Sequence, residues 1–170
     1  MDLFKGREVT LLYFKDIKNG EAILNVIRAG KMNAAFINPD YVVSWFQIYS
    51  TVNSVLEAEE HNQLKTKSIY GEIVFRLGAT SNIAGNLKTF GINKNSKAAI
   101  VVIVDCKEGD LQSIKDLVDG ELIQYNPENG YNMNLILKHY NIQNKEIQLG
   151  KPEVEALEDA IISRISTAYL

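Results

Sequence analysis

Ala98-Ala99-Ile100-Val101-Val102-Ile103-Val104 is a nearly unbroken aliphatic run. A strand that alternates apolar and polar residues has one wet face; this one does not alternate, so it is expected to lie in the centre of a sheet, covered on both faces. The flanking segments supply the rest of a layered fold. Towards the C-terminus, Leu111, Ile114, Leu117 and Val118 recur at helical spacing within Asp110 to Val118, and Glu121 to Tyr125 can return as a short strand. Tyr131 to Tyr140 is predicted helical. A last helix opens with Pro152 in its first turn, where a missing N–H costs nothing, and Glu153, Glu155, Glu158 and Asp159 complement its positive end, with Arg164 near the other.

Towards the N-terminus, Ser81 or Asn82 can cap a helix in which Ile83, Leu87 and Phe90 stack, with Gly91 as its stop. Ile73, Phe75 and Leu77 alternate with Glu72, Val74 and Arg76, which predicts a half-buried strand with Arg76 turned away from the Phe75 face. Ser44 and Gln47 have capping-box spacing, and Trp45, Ile48, Val52, Val55 and Leu56 follow with the 3.6 period of a long helix. Ala34 to Pro39 is short and ends in Asn38-Pro39, a turn or edge segment. Glu8 to Phe14 is apolar and β-prone, and Asn19 then offers an N-cap for a helix ending near Gly30. There is no repeat and no low-complexity linker. The expected fold is α+β, one domain over residues 1–170, with a central mixed β-sheet covered by several helices and a C-terminal helix.

At 170 residues with 46% hydrophobic content, the chain can bury a sizeable core without staples. Its one cysteine, Cys106, can form no intramolecular disulfide, which fits a reducing compartment, cytoplasm or nucleus. The first residues lack the apolar core of a signal peptide, and no stretch approaches the roughly 20 apolar residues that cross a bilayer, so a soluble protein without a membrane partner is expected. Formal net charge is −3, yet residues 61–97 hold six basic residues (Lys65, Lys67, Arg76, Lys88, Lys94, Lys97) against Glu72 alone. Such a cluster either meets phosphates or is a solvated lysine fringe.

Chemistry-bearing motifs are missing. The two histidines, His61 and His139, have no metal-ligand spacing, and each reads as a surface or satisfied helix residue. Asp105 directly precedes Cys106 and disfavours its thiolate. Neither a Walker-type nor a dinucleotide-type glycine loop follows any proposed strand. No catalytic residue, metal or cofactor is therefore expected, and the chain reads as no enzyme.

Several blocks resemble one family: Val9-Thr10-Leu11-Leu12-Tyr13-Phe14-Lys15-Asp16-Ile17-Lys18-Asn19, Ile37-Asn38-Pro39, Glu72-Ile73-Val74-Phe75, Asn82-Ile83 with Leu87-Lys88 and Phe90-Gly91-Ile92, and Asp159-Ala160-Ile161-Ile162-Ser163-Arg164-Ile165-Ser166-Thr167. In order and spacing they are similar to the TPRKB family, the kinase-binding subunit of the KEOPS (EKC) complex, with residues 105–150 divergent. The resemblance implies a small protein that docks on the atypical Rio-like kinase of that complex and supports its activity. It also implies binding of the tRNA acceptor end, so that a neighbouring threonylcarbamoyl transferase can modify the adenosine beside the anticodon. With that ligand in view, Lys65, Lys67, Arg76 and Lys88, with the N–H groups after Asn82, are the candidate tRNA contacts.

On a helical wheel, Val154, Leu157, Ile161, Ile165 and Ala168 form the core stripe of the last helix. Ile162, Arg164, Tyr169 and Leu170 are left as a candidate kinase contact, with Asn38 and Pro39 as a further candidate; simple packing is the competing explanation for Ile162 and for the turn. Gly71 and Gly85 depart from the family pattern. A stand-alone RNA-binding module and a small hydrolase assembled from distant residues are the alternative functions.

Overall fold

The aliphatic run forms β4 (Ala99–Val104), and all six of its residues are buried. One edge pairs with β2 (Arg7–Lys15), from Val9 opposite Val104 to Phe14 opposite Ala99. The other edge pairs with β3 (Ala35–Ile37), Ala35 opposite Val102. Two short strands, β1 (Asp2–Phe4) and β5 (Glu121–Ile123), add to β2 near its start and its end. This computed structural model describes residues 2–4, 6–147 and 150–169. They divide into two compact units, Met1–Asn38 with Gly91–Tyr125, and Pro39–Phe90 with Asn126–Leu170.

The first unit holds all five strands found among the described residues. Every pairing is antiparallel, where a mixed sheet was expected. The reason is topological: β2 and β3 run the same way on either side of α1 (Gly20–Arg28), but β4 inserts between them and opposes both, a split crossover in which no two parallel strands touch. The helices α1 and α5 (Asp110–Leu117) bury Ile23 and Ile114 against Phe14, Phe36, Ala99, Val101 and Ile103. Asn19 stands at the expected cap position without capping. Its amide instead donates to the Leu117 carbonyl at 2.7 Å and accepts from the Asp119 N–H at 2.9 Å, which ties the start of α1 to the end of α5. Gly20 is required beside it, because a Cβ there would lie 2.9 Å from the carbonyl oxygens of Asn93 and Lys94.

The second unit is helical: a 3₁₀ turn (Pro39–Tyr41), α2 (Trp45–Glu60), α3 (Ile69–Leu77), α4 (Ile83–Phe90), α6 (Met133–Tyr140), the short α7 (Asn144–Ile147) and α8 (Glu153–Ala168). Ser44 caps α2 through the Gln47 N–H at 3.1 Å, and Ile48, Val52, Val55 and Leu56 are buried as their period required. In α8, Leu157, Ile161 and Ile165 are buried with Ala156, while Val154 is half-buried and Ala168 exposed.

The strand expected at Ile73 to Leu77 is instead the body of α3. Six residues of alternation are too few to separate a strand from a helix buried all round, and every residue from Glu72 to Leu77 is buried. Local chemistry decides for the helix: Ser68 accepts from the Gly71 N–H at 3.2 Å as N-cap, and Glu72 lies one turn before Arg76, within reach only on a helix.

Candidate interaction surface

At the start of α3, Glu72 is fully buried and is surrounded by donors. Its Oε1 accepts from the backbone N–H groups of Lys65 and Thr66 and from the Thr66 hydroxyl, each at 2.8 Å. Its Oε2 accepts from Arg76 Nε at 2.9 Å, and Arg76 Nη1 donates to Ser54 Oγ on α2 at 2.8 Å. Burial by itself raises the Glu72 carboxyl, but the bonds from Arg76, Thr66 and the two amides outweigh it and hold the pKa below the ordinary value. The negative charge thus fixes the backbone of the loop before α3, and the side chains of Lys65 and Lys67 on that loop stand in solvent.

Arg76 was expected among the exposed cations. It is 5% exposed and faces the interior, a direct result of the helix where a strand was expected; its guanidinium is taken up by Glu72 and Ser54.

The other end of α3 is a hub of side-chain caps. Carbonyl oxygens at a helix C-terminus have no partner within the helix. Here Asn86 of α4 donates to the Phe75 carbonyl at 3.0 Å and the Thr80 carbonyl at 3.3 Å. The Tyr140 hydroxyl of α6 donates to the Leu77 carbonyl at 2.6 Å, and the His139 ring nitrogen Nε2 lies 2.9 Å from the Gly78 carbonyl. The Tyr169 hydroxyl reaches the Thr80 carbonyl at 3.0 Å and the Phe75 carbonyl at 3.4 Å. Burial pushes the Tyr169 phenol up to about 12, so it remains a donor at working pH. His139, read from sequence as a surface or satisfied helix residue, is the latter, its ring edge-on to Phe90 and Tyr140.

These caps set the orientation of α4. Asn82 is exposed and caps the helix, accepting from the Gly85 N–H at 3.0 Å. Gly85 makes room for that cap, since a Cβ would lie 2.4 Å from Asn82 Nδ2. Because Asn86 must face inward, Ile83 and Leu87 do not stack under Phe90 as the spacing suggested: Phe90 is buried, whereas Ile83 and Leu87 are each 37% exposed, with exposed Lys88 beside them. Phe46, in the first turn of α2, is 56% exposed.

The described C-terminal candidates, Ile162 and Arg164 on α8 and Tyr169 just past it, do not share one environment. Ile162 is half-buried. Arg164 is tied inward: Nη1 donates to the Ala160 carbonyl at 2.9 Å, and Nη2 to both oxygens of Glu146 at 3.1 Å and to the Asn141 carbonyl at 3.2 Å. The Tyr169 ring packs against Phe75 at 5.3 Å, and Arg76 Cζ lies 4.9 Å from its centroid. Leu170 lies outside the described residues. Asn38 is half-buried and Pro39 buried, at the junction of β3 with the 3₁₀ turn. Sequence reasoning missed Glu72, Asn86, Tyr140 and the hydroxyl contacts of Tyr169 with the end of α3. Only the first had a readable signal, a Glu followed by an Arg at i,i+4.

Among the described residues no three His, Cys, Asp or Glu side chains gather as a metal site, and no helix is long and apolar enough to cross a membrane. The second unit presents exposed Lys65 and Lys67 on the loop before α3 and, on α4, exposed Ile83, Leu87 and Lys88. Residues 14–168 match the family described as kinase binding protein CGI-121, and the chain belongs to that family. It is 34% identical over 170 residues to the EKC/KEOPS complex subunit TPRKB of Danio rerio, covering 98% of this chain and 94% of the relative. It is 30% identical over 127 residues to the EKC/KEOPS complex subunit CGI121 of Candida glabrata, covering 74% and 71%. With the corresponding subunit of Yarrowia lipolytica it shares 31% identity over 98 residues, 56% of this chain and 58% of the relative.

Proposed function

We propose that this chain is a non-catalytic subunit of a KEOPS-type complex, binding and activating an atypical Rio-like kinase and helping to recruit the tRNA acceptor end for threonylcarbamoylation of the adenosine beside the anticodon. The observation that carries this reading is the family match over residues 14–168, which runs through both units. On this reading residues 1–170 act as one functional domain, in cytoplasm and nucleus, and the chemistry belongs to the kinase and the transferase. Half-buried Ile162 on α8 and Tyr169 just past its end form the kinase contact, with the Asn38-Pro39 turn as a separate candidate. Arg164 contributes chiefly by holding α7 to α8, since its guanidinium is already bonded to Glu146.

For tRNA, the proposal keeps Lys65, Lys67, Asn82 and Lys88 and leaves out Arg76. Lysines on a backbone held by Glu72 lose less freedom on binding phosphate than lysines on a mobile loop. The exposed Ile83 and Leu87 beside Lys88 add an apolar surface suited to unpaired bases.

The test is co-purification with a Rio-like kinase and a salt titration of tRNA binding. A tight kinase complex, weakened by Ile162→Asp in a chain that still folds, is expected; failure of the folded chain to bind any such kinase overturns the reading. Changing Lys65, Lys67 and Lys88 together to alanine should weaken tRNA binding and flatten its salt dependence by about one to three counterions while leaving the kinase complex intact. Exposed Lys65 and Lys67, the first with its amide held by Glu72, also favour a second reading, a stand-alone RNA-binding module, which predicts the same salt-sensitive tRNA binding with no kinase partner.

A further inference from the structure

The two proposed contacts are linked through the interior of the second unit. From Tyr169 the path runs to Arg76, whose Cζ lies 4.9 Å from the ring centroid. Arg76 Nε donates to Glu72 Oε2 at 2.9 Å, and Glu72 Oε1 accepts from the N–H groups of Lys65 and Thr66 at 2.8 Å. Both charged members are withdrawn from water, Glu72 at 0% and Arg76 at 5% exposure, so each contact acts in a poorly screened setting. Ser54 on α2 also holds Arg76, and the Tyr169 hydroxyl has separate partners in the Thr80 and Phe75 carbonyls. The ring and the hydroxyl of Tyr169 therefore do different things: the ring faces Arg76, and the hydroxyl fastens the turn between α3 and α4.

We infer that Tyr169 is a positioning residue for the basic loop before α3: the end of α8 and the amides of Lys65 and Thr66 are coupled through Arg76 and Glu72. This rests on the reading of α8 as a kinase contact and of the loop as an RNA contact. A partner that shifts the Tyr169 ring changes how firmly Arg76 holds Glu72, and hence how firmly Glu72 holds the loop. By linkage, an anion bound on the loop changes the partner's affinity by the same factor. An unbroken series of contacts establishes proximity alone, so the coupling has to be measured.

The measurement is residue-resolved amide hydrogen exchange on the full chain carrying Tyr169→Leu or Tyr169→Phe. Leucine removes the aromatic face, and exchange at Lys65 and Thr66 should rise roughly two- to thirty-fold, the span of cation–π contacts from exposed to desolvated sites, while the amides of α2 remain as in wild type. Phenylalanine keeps the face and removes only the hydroxyl, so it should leave Lys65 and Thr66 near wild type. A plain loss of packing would loosen α2 along with the loop and would not separate the two variants. Should Tyr169→Leu fail to fold, Tyr169→Met, which keeps a long apolar side chain but has no aromatic face, is expected to give the same local rise.

Unchanged exchange at Lys65 and Thr66 in a folded leucine variant overturns the coupling, as does an equal rise throughout the unit. Binding of a tRNA to the same isolated variants is read separately. Loosened amides with unaltered tRNA affinity leave the coupling standing and count against the loop as an RNA contact.

Discussion

Glu72 and Arg76 form a buried ion pair within α3. A buried carboxylate is costly unless its charge is met, and Glu72 is met by one guanidinium, one hydroxyl and two amides. Removing one member leaves the other uncompensated, so Glu72→Gln should cost about 3–5 kcal/mol in denaturant unfolding near neutral pH. The pH dependence has a definite sign. The Glu72 pKa is lowered in the folded state, so its contribution is present above the ordinary value of 4.5 and is lost as pH falls through the folded value. The stability difference between wild type and Glu72→Gln should therefore hold from pH 8 to 6 and narrow below pH 4.5. A difference that narrows in the neutral range instead would contradict this assignment.

At the scale of elements, α3 is held at both ends by side chains from elsewhere in its unit, and this makes two glycines behave oppositely. Gly78 touches Asn86 so closely that a Cβ would lie 2.1 Å from its Cγ. Gly78→Ala must displace the side chain that caps Phe75 and Thr80, and a loss of about 1–3 kcal/mol is expected from such overpacking. Gly71, in the first turn, has ordinary room, its nearest neighbour being Thr66 Oγ1 at 3.4 Å. Gly71→Ala should leave stability unchanged or raise it by up to about 1 kcal/mol, because alanine has less chain entropy to lose. Thermal unfolding of the two variants side by side checks both signs. Gly71 thus has room for a side chain without loosening α3, whereas at Gly85 the Asn82 cap occupies the space.

For the whole molecule, the family match and the surface of the second unit support a docking role, and stability and binding should be separable there. Shortening the chain before Ile162 is a poor probe of partner binding, since it removes buried Ile165 and the Tyr169 cap together. Such a truncation should melt well below the full chain, on the order of the 2–5 kcal/mol typical for loss of one large core side chain. Lys65, Lys67 and Lys88 are exposed, and their combined change to alanine should shift stability by no more than about 0.5 kcal/mol per site. A large loss of stability in that triple variant would show the loop to be structural.

The sequence by itself determined the sheet's centre in the 98–104 run, the long helix after Ser44, the last helix, and the family, because long aliphatic runs, 3.6-residue periods and extended blocks are properties of neighbouring residues. The Ser68 cap and the Glu72–Arg76 spacing were local signals for the helix at 69–77, but only the tertiary structure decided that β4 separates β2 from β3 and which way α4 turns. The strand order rests on pairings between segments far apart in the chain, and the setting of α3 and α4 on Ser54 holding Arg76 and on Asn86, Tyr140 and Tyr169 meeting carbonyls that α3 cannot satisfy itself. Satisfying buried polar groups outweighed the local apolar pattern, drawing Arg76 inward and leaving Ile83 and Leu87 partly in solvent.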